Sequence, residues 1–200
     1  AGNLYRPRGK GNGPFPAILN PNGHWPNGRM ADTTNGSVAA RCINFAKQGM
    51  IAFSYDMVGF NDMIQLGPHR KFFRQPGLQL WNITVMGLQT WNSIRALDFL
   101  ESLPDVDAKR LACTGESGGG TQTYMLGGVD DRIAVQAPVV MVSHTFQGDC
   151  ICENAPGLRV NYSNMEIAAV AAPRPQILVG ATGDWTKDTP SVEFPAVRSI

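Results

Sequence analysis

The sequence has no uninterrupted apolar run near the ~20 residues of a membrane-spanning helix, so no membrane partner is expected. It also lacks an excess of charge: 17 Lys and Arg stand against 16 Asp and Glu, for a net charge of +1. The basic residues are scattered, with no dense stretch of the kind that tracks phosphates, which argues against a nucleic-acid partner. Linkers, internal repeats and low-complexity tracts are missing too, and 200 residues with 43% hydrophobic content suit one domain with a substantial core.

Cysteine is scarce, with four in the chain. Cys42 and Cys113 fall in apolar periodic segments and read as buried thiols. Cys150 and Cys152 are one residue apart, poor spacing for a zinc knuckle or an easy mutual disulfide, so no metal is expected. Cysteine usage leaves the compartment open. Asn-x-Ser/Thr triplets at Asn35, Asn82 and Asn161 occur often by chance and do not settle it. The chain opens at Ala1 without methionine or a signal-peptide pattern, and VEFPAVRSI looks like the start of a helix. A chain truncated at its C-terminus is therefore expected.

Apolar runs alternate with amphipathic segments, the pattern of an α/β fold with a mostly parallel sheet. The expected strands are 14–20, 51–56, 110–115, 133–140 and 175–181, short runs ended by turn residues and buried on both faces. Helices are expected over 34–48, with Val38, Cys42, Phe45 and Ala46 inward, and over 80–103, with Ile83, Trp91, Ile94 and Leu97 on one face and Pro104 as the stop. Trp81 and Trp91 fall on this helical spacing and are expected in the core. A third helix covers 117–127. Residues 57–79 and 141–174 are irregular, and the second stretch reads as an insertion covering a pocket.

The run RLACTGESGGG (110–120) places a serine where a strand turns abruptly into a helix. An apex residue there is forced into a strained backbone conformation, and small neighbours on both sides give it clearance. Its hydroxyl is lifted clear while the helix N-terminus faces the charge that forms on attack. Ser117 is thus a candidate nucleophile, although a serine capping a helix in a Gly-rich turn would read similarly. The matching oxyanion donors would be the Gly118 amide and that of His24 or Trp25 in the loop NPNGHWPNG (20–28), a segment that would form a turn in any case. Asp184, just beyond the strand 175–181, is the candidate acid, with Asp188 as its rival. Glu116, Trp185 and His144 are candidates for a substrate pocket, and Trp25 and Trp185 could stack on a sugar ring. A metal at His144, Asp149, Cys150, Cys152 and Glu153 fits no common ligand spacing. The histidines are His24, His69 and His144, and none follows Asp184, although a serine needs a base. Truncation, recruitment of an upstream histidine, or an inactive relative would each account for that.

Together NGHWPNGR, YDMVGFND, LPDVDAKRLACTGESGGG, CENAPGLR and APRPQILVGATGDWTKDTPSVEFPA resemble the α/β-hydrolase superfamily over nearly the whole chain. More narrowly they resemble acetyl-xylan-esterase-like and dienelactone-hydrolase-related bacterial proteins. The resemblance implies a three-layer αβα sandwich, Ser117 as nucleophile, Gly118 and the Gly23-His24-Trp25 loop as oxyanion hole, and Asp184 as acid. It places the histidine past Ile200 and implies no cofactor. The implied activity is a serine carboxylesterase acting on short acyl esters, such as acetyl groups on carbohydrate, in a secreted or periplasmic protein. A peptidase of the same superfamily and a non-catalytic scaffold are the alternatives.

Overall fold

The computed structural model describes residues 1–69, 71 and 76–200. Strand β1 (Gly2–Tyr5) opens the chain and is followed by β2 (Phe15–Leu19), the hairpin of β3 (Asp32–Thr33) and β4 (Gly36–Ser37), and helix α1 (Val38–Lys47). Next come β5 (Ile51–Tyr55), α2 (Pro76–Leu80), α3 (Val85–Glu101), β6 (Val106–Glu116), α4 (Gly118–Val129) and β7 (Ile133–Val139). Two short helices, α5 (Asn164–Ala169) and α6 (Phe194–Arg198), close the order. No helix among the described residues is long and apolar enough to cross a membrane.

The main sheet runs β1-β5-β2-β6-β7, parallel throughout except for β1, which pairs antiparallel with β5. Period-2 alternation in these strands builds the two flanking layers. Ile18 and Ala52 face Val38 and Cys42 of α1. Ala17, Leu19, Ile51, Leu111 and Cys113 face Ala96, Leu97 and Leu100 of α3 and Leu126 of α4 on the other side. This is the three-layer α/β arrangement with a mainly parallel sheet. Local chemistry sets the helix ends: the Ser37 hydroxyl accepts from the Ala40 amide at 2.9 Å, and that of Thr84 from Gly87 at 3.0 Å.

Three expectations need correction. The segment 175–181 makes isolated parallel bridges to β7, Gln136 with Gln176 and Val139 with Val179, rather than a continuous strand. The expected helix over 80–103 begins only at Val85, so Ile83 precedes it. Trp81 and Trp91 are not core, being 81% and 57% exposed. Trp91 sits under the Arg95 guanidinium, 4.5 Å from its ring centre, so an aromatic on helical spacing here serves a solvent-facing cation–π pair.

Candidate active site

The C-terminal ends of the parallel strands carry three loops that converge on Ser117. The turn from β6 into α4 holds Ser117 at φ 55°, ψ −123°, a conformation that non-glycine residues rarely adopt. A serine N-cap would have extended backbone angles and an Oγ bonded to a helix amide, and Ser117 has neither. The glycines around it have a steric cause. A Cβ on Gly115 would lie 2.2 Å from the Pro21 carbonyl oxygen, and one on Gly119 2.3 Å from the same atom. The loop after β2 therefore passes directly over the elbow, which only hydrogen side chains permit.

That loop is fixed by Glu116. Its carboxylate accepts from the Gly23 amide at 3.0 Å and from the Trp25 indole at 2.5 Å, and it pairs with Arg41 of α1. Glu116 thus holds the 20–25 loop against the elbow and α1. The Trp25 ring, drawn to Glu116, packs with the cluster between α1 and the sheet. The Trp25 amide is occupied as well, bonding the Gly23 carbonyl at 2.8 Å. Of the two loop amides proposed as oxyanion donors, that of His24 has no hydrogen-bond partner among the described residues, and neither has Gly118.

The side chains at Ser117 Oγ are His24 and Glu153. His24 Nδ1 lies 3.3 Å away, and the hydroxyl donates to Glu153 Oε1 at 3.4 Å. Glu153 is 2% exposed, and burial pushes its carboxyl pKa up while His24 opposes the shift. His24 Nδ1 also faces Glu153 Oε1, at 3.7 Å. In a serine–histidine–acid relay, opposite ring nitrogens contact serine and acid; here one nitrogen faces both. The other, Nε2, lies 3.1 Å from Cys152 Sγ. Beside them a cleft of about 470 Å³ opens between His24, Asp149, Cys150 and Ile151, a volume suited to a small substrate.

The remaining candidates lie apart from this group. Asp184 Oδ1 accepts from the amide and hydroxyl of Thr186, at 2.7 and 2.5 Å, and makes no polar contact with Ser117 or a histidine. His144 bonds Glu193 through Nδ1 at 2.6 Å, and Trp185 packs on Phe146 with ring centres 4.8 Å apart. Glu153 is the residue that sequence reasoning passed over as a carboxylate partner, because it follows an irregular stretch instead of a strand end. The signal available was its place in CENAPGLR. Arg159 of that motif donates to the Glu153 carbonyl, to Asn154 Oδ1 at 3.0 Å and to the Tyr124 hydroxyl at 2.9 Å, anchoring the turn to α4.

Spacing along the chain argued against a metal at Cys150 and Cys152, yet folding brings them His24 and His69 from two other loops. One ligand atom from each of the four lies within 4.8 Å of every other. His69 Nε2 is 2.9 Å from Cys150 Sγ. The Cys152 thiol first, then His24 and His69, push the Cys150 thiol well below its usual range against its own burial, and Cys150 in turn raises His24.

No known family model matches the chain. A Bacillus subtilis (strain 168) protein described as a hydrolase, YtaP, is 26% identical over 187 residues, 86% of this chain and 61% of its own length. Among solved structures, the methylesterase BT1017 is 34% identical, with a TM-score of 0.82 over 98% of this chain and 42% of its own. A Bacteroides fragilis NCTC 9343 protein described as an acetyl xylan esterase (BF1801) is 20% identical, with a TM-score of 0.66 over 86% of this chain and 53% of its own.

Proposed function

We propose, from the premise that this is an α/β-hydrolase-fold chain similar to esterases, that it carries the nucleophile of a serine carboxylesterase. The substrates would be small esters borne on carbohydrate, a methyl or acetyl ester being the class suggested by the similar proteins. The observation that carries the reading is the Ser117 backbone, strained and uncapped, next to Gly118, whose amide has no hydrogen-bond partner among the described residues. A strained residue whose side chain does not cap the helix it precedes points to a functional position.

In this reading the Ser117 hydroxyl passes its proton to Glu153 as Oγ adds to the ester carbonyl. Burial raises the Glu153 carboxyl pKa, which makes its carboxylate a stronger proton acceptor. The Gly118 and His24 amides receive the oxyanion, aided by the N-terminus of α4. Collapse of the tetrahedral adduct expels the alcohol, which takes the proton from Glu153 and leaves an acyl-enzyme. Water, deprotonated by Glu153, then releases the acid and restores Ser117. Asp184 keeps its role as loop acid only if an imidazole reaches it, and none among the described residues does.

A sulfonyl fluoride tests the nucleophile directly, because Oγ displaces fluoride and leaves a stable sulfonyl ester. One adduct on the peptide containing Ser117, together with turnover of p-nitrophenyl acetate, is expected. Modification elsewhere with Ser117 untouched refutes the assignment. Turnover of amides in preference to esters would instead favour a peptidase.

Glu116 acts in this reading as a positioning residue through the 20–25 loop. Glu116→Gln removes the charge that pairs with Arg41 and loosens the His24 amide. Loss of one well-placed oxyanion donor costs about 100-fold in kcat. A fall in kcat of roughly 10- to 100-fold with little change in KM is expected, since that donor acts in the transition state. Steady-state kinetics on an acetyl ester decide it, and a rise in KM alone would place Glu116 in substrate binding.

A further inference from the structure

We propose that His24, His69, Cys150 and Cys152 form a binding site for a thiophilic divalent cation, zinc(II) above others, that ties together the three loops around Ser117. Two imidazoles and two thiols are the soft nitrogen and sulfur set that zinc prefers, and four protein ligands make a closed, structural site. Tetrahedral zinc, with bonds of about 2.0 Å to nitrogen and 2.3 Å to sulfur, needs ligand atoms roughly 3.3 to 3.8 Å apart. The four atoms here are all within 4.8 Å of one another, with His24–Cys152 at 3.1 Å and His69–Cys150 at 2.9 Å. Shifts below about 1 Å complete the tetrahedron.

The surroundings hold the ligands in place before any ion arrives. Asn154 Nδ2 donates to the Cys150 and Gly148 carbonyls at 2.9 and 2.8 Å, and the Cys150 amide donates to Glu153 Oε2 at 3.1 Å. His69 is 5% exposed, and its amide bonds the Gly59 carbonyl at 2.9 Å. Gly59, at φ 94°, lets that segment cross closely, since a Cβ there would stand 2.5 Å from His69 Cα. With Nε2 on the metal, the Nδ1–H of His24 faces the buried Glu153 carboxylate, the arrangement by which a carboxylate orients a metal-bound histidine. The His69 Nδ1 is buried and has no hydrogen-bond partner among the described residues, which leaves Nε2 as the ring nitrogen with a polar neighbour, Cys150. The site joins the loop after β2, the loop after β5 and the insertion after β7, which share no strand or helix.

The site does not depend on Ser117 being a nucleophile, and its test reads the metal. Cobalt(II) added to the reduced protein is expected to saturate at one equivalent, giving thiolate-to-metal charge-transfer bands and the intense visible bands of tetrahedral cobalt. Zinc should displace it and bleach both. Cys150→Ser/Cys152→Ser should abolish the bands, Glu153→Gln should weaken binding about 10- to 100-fold, and Cys42→Ala should leave the spectrum unchanged. Should the double variant fail to fold, the unsubstituted protein still decides: one equivalent of zinc should protect Cys150 and Cys152 from alkylation, read by peptide mass. Absence of charge-transfer bands at one equivalent, bands persisting in the folded double variant, or unprotected thiols under zinc would each overturn the proposal.

Discussion

Ser117→Ala is expected to lower kcat/KM on a short acyl ester by about 10⁴-fold, close to 5.5 kcal/mol of transition-state stabilisation, while leaving the fold intact. The hydroxyl makes no capping bond to α4, so its removal takes away chemistry and no helix stability. Ser117→Gly should abolish turnover equally and raise stability by about 1 kcal/mol, because glycine adopts positive φ without the penalty borne by serine. For a chain of this size that is a midpoint rise of roughly 2 to 4 °C. Comparing three proteins, wild type and both variants, separates the two effects in one set of measurements. Residual activity of Ser117→Ala near the wild-type value would remove Ser117 from the chemistry. A glycine variant less stable than wild type would remove the strain argument.

The parallel strands were legible because strands buried on one or both faces leave compact apolar runs bounded by turn residues. Residues 14–20, 51–56 and 133–140 each enclose the observed strand within a residue or two at each end. Strand β1 was not legible, since GNLY has neither alternation nor a bounding signal and depends on β5 for its pairing. The elbow was legible down to its glycines, but the reason for them was not: the atom that excludes a Cβ at Gly115 and Gly119 belongs to Pro21, nearly a hundred residues earlier. The same distance in sequence hid the Glu116 prop and the His24, His69, Cys150 and Cys152 group. Each joins side chains from separate loops, and no spacing rule on one segment encodes such a meeting. The tryptophans failed for a different cause. Helical period locates a face of a helix but not what covers it, and Trp91 lies on a face that the fold leaves to solvent.

Gly119→Ala should destabilise the protein by about 3 kcal/mol, whereas Gly128→Ala in the same helix should stabilise it by up to about 1 kcal/mol. Both positions lie in α4, where alanine is intrinsically the better helix former. They differ in what a methyl group meets. At Gly119 it would stand 2.3 Å from the Pro21 carbonyl oxygen and 3.0 Å from Asn22 carbon, both backbone atoms that cannot rotate aside. At Gly128 the nearest atom is Val170 Cγ1 at 3.6 Å, an ordinary contact. Relief at Gly119 requires the 20–25 loop to lift from the elbow, which strains the Glu116 bonds to Gly23 and Trp25 and, in the proposed mechanism, displaces the His24 amide. Loss of stability and of turnover should therefore appear together in Gly119→Ala and not in Gly128→Ala. Urea midpoints give the first and ester hydrolysis at a temperature where both variants are folded gives the second. Equal midpoints for the two variants would mean that the loop does not press on the elbow, and the oxyanion role proposed for the His24 amide would lose the packing it relies on.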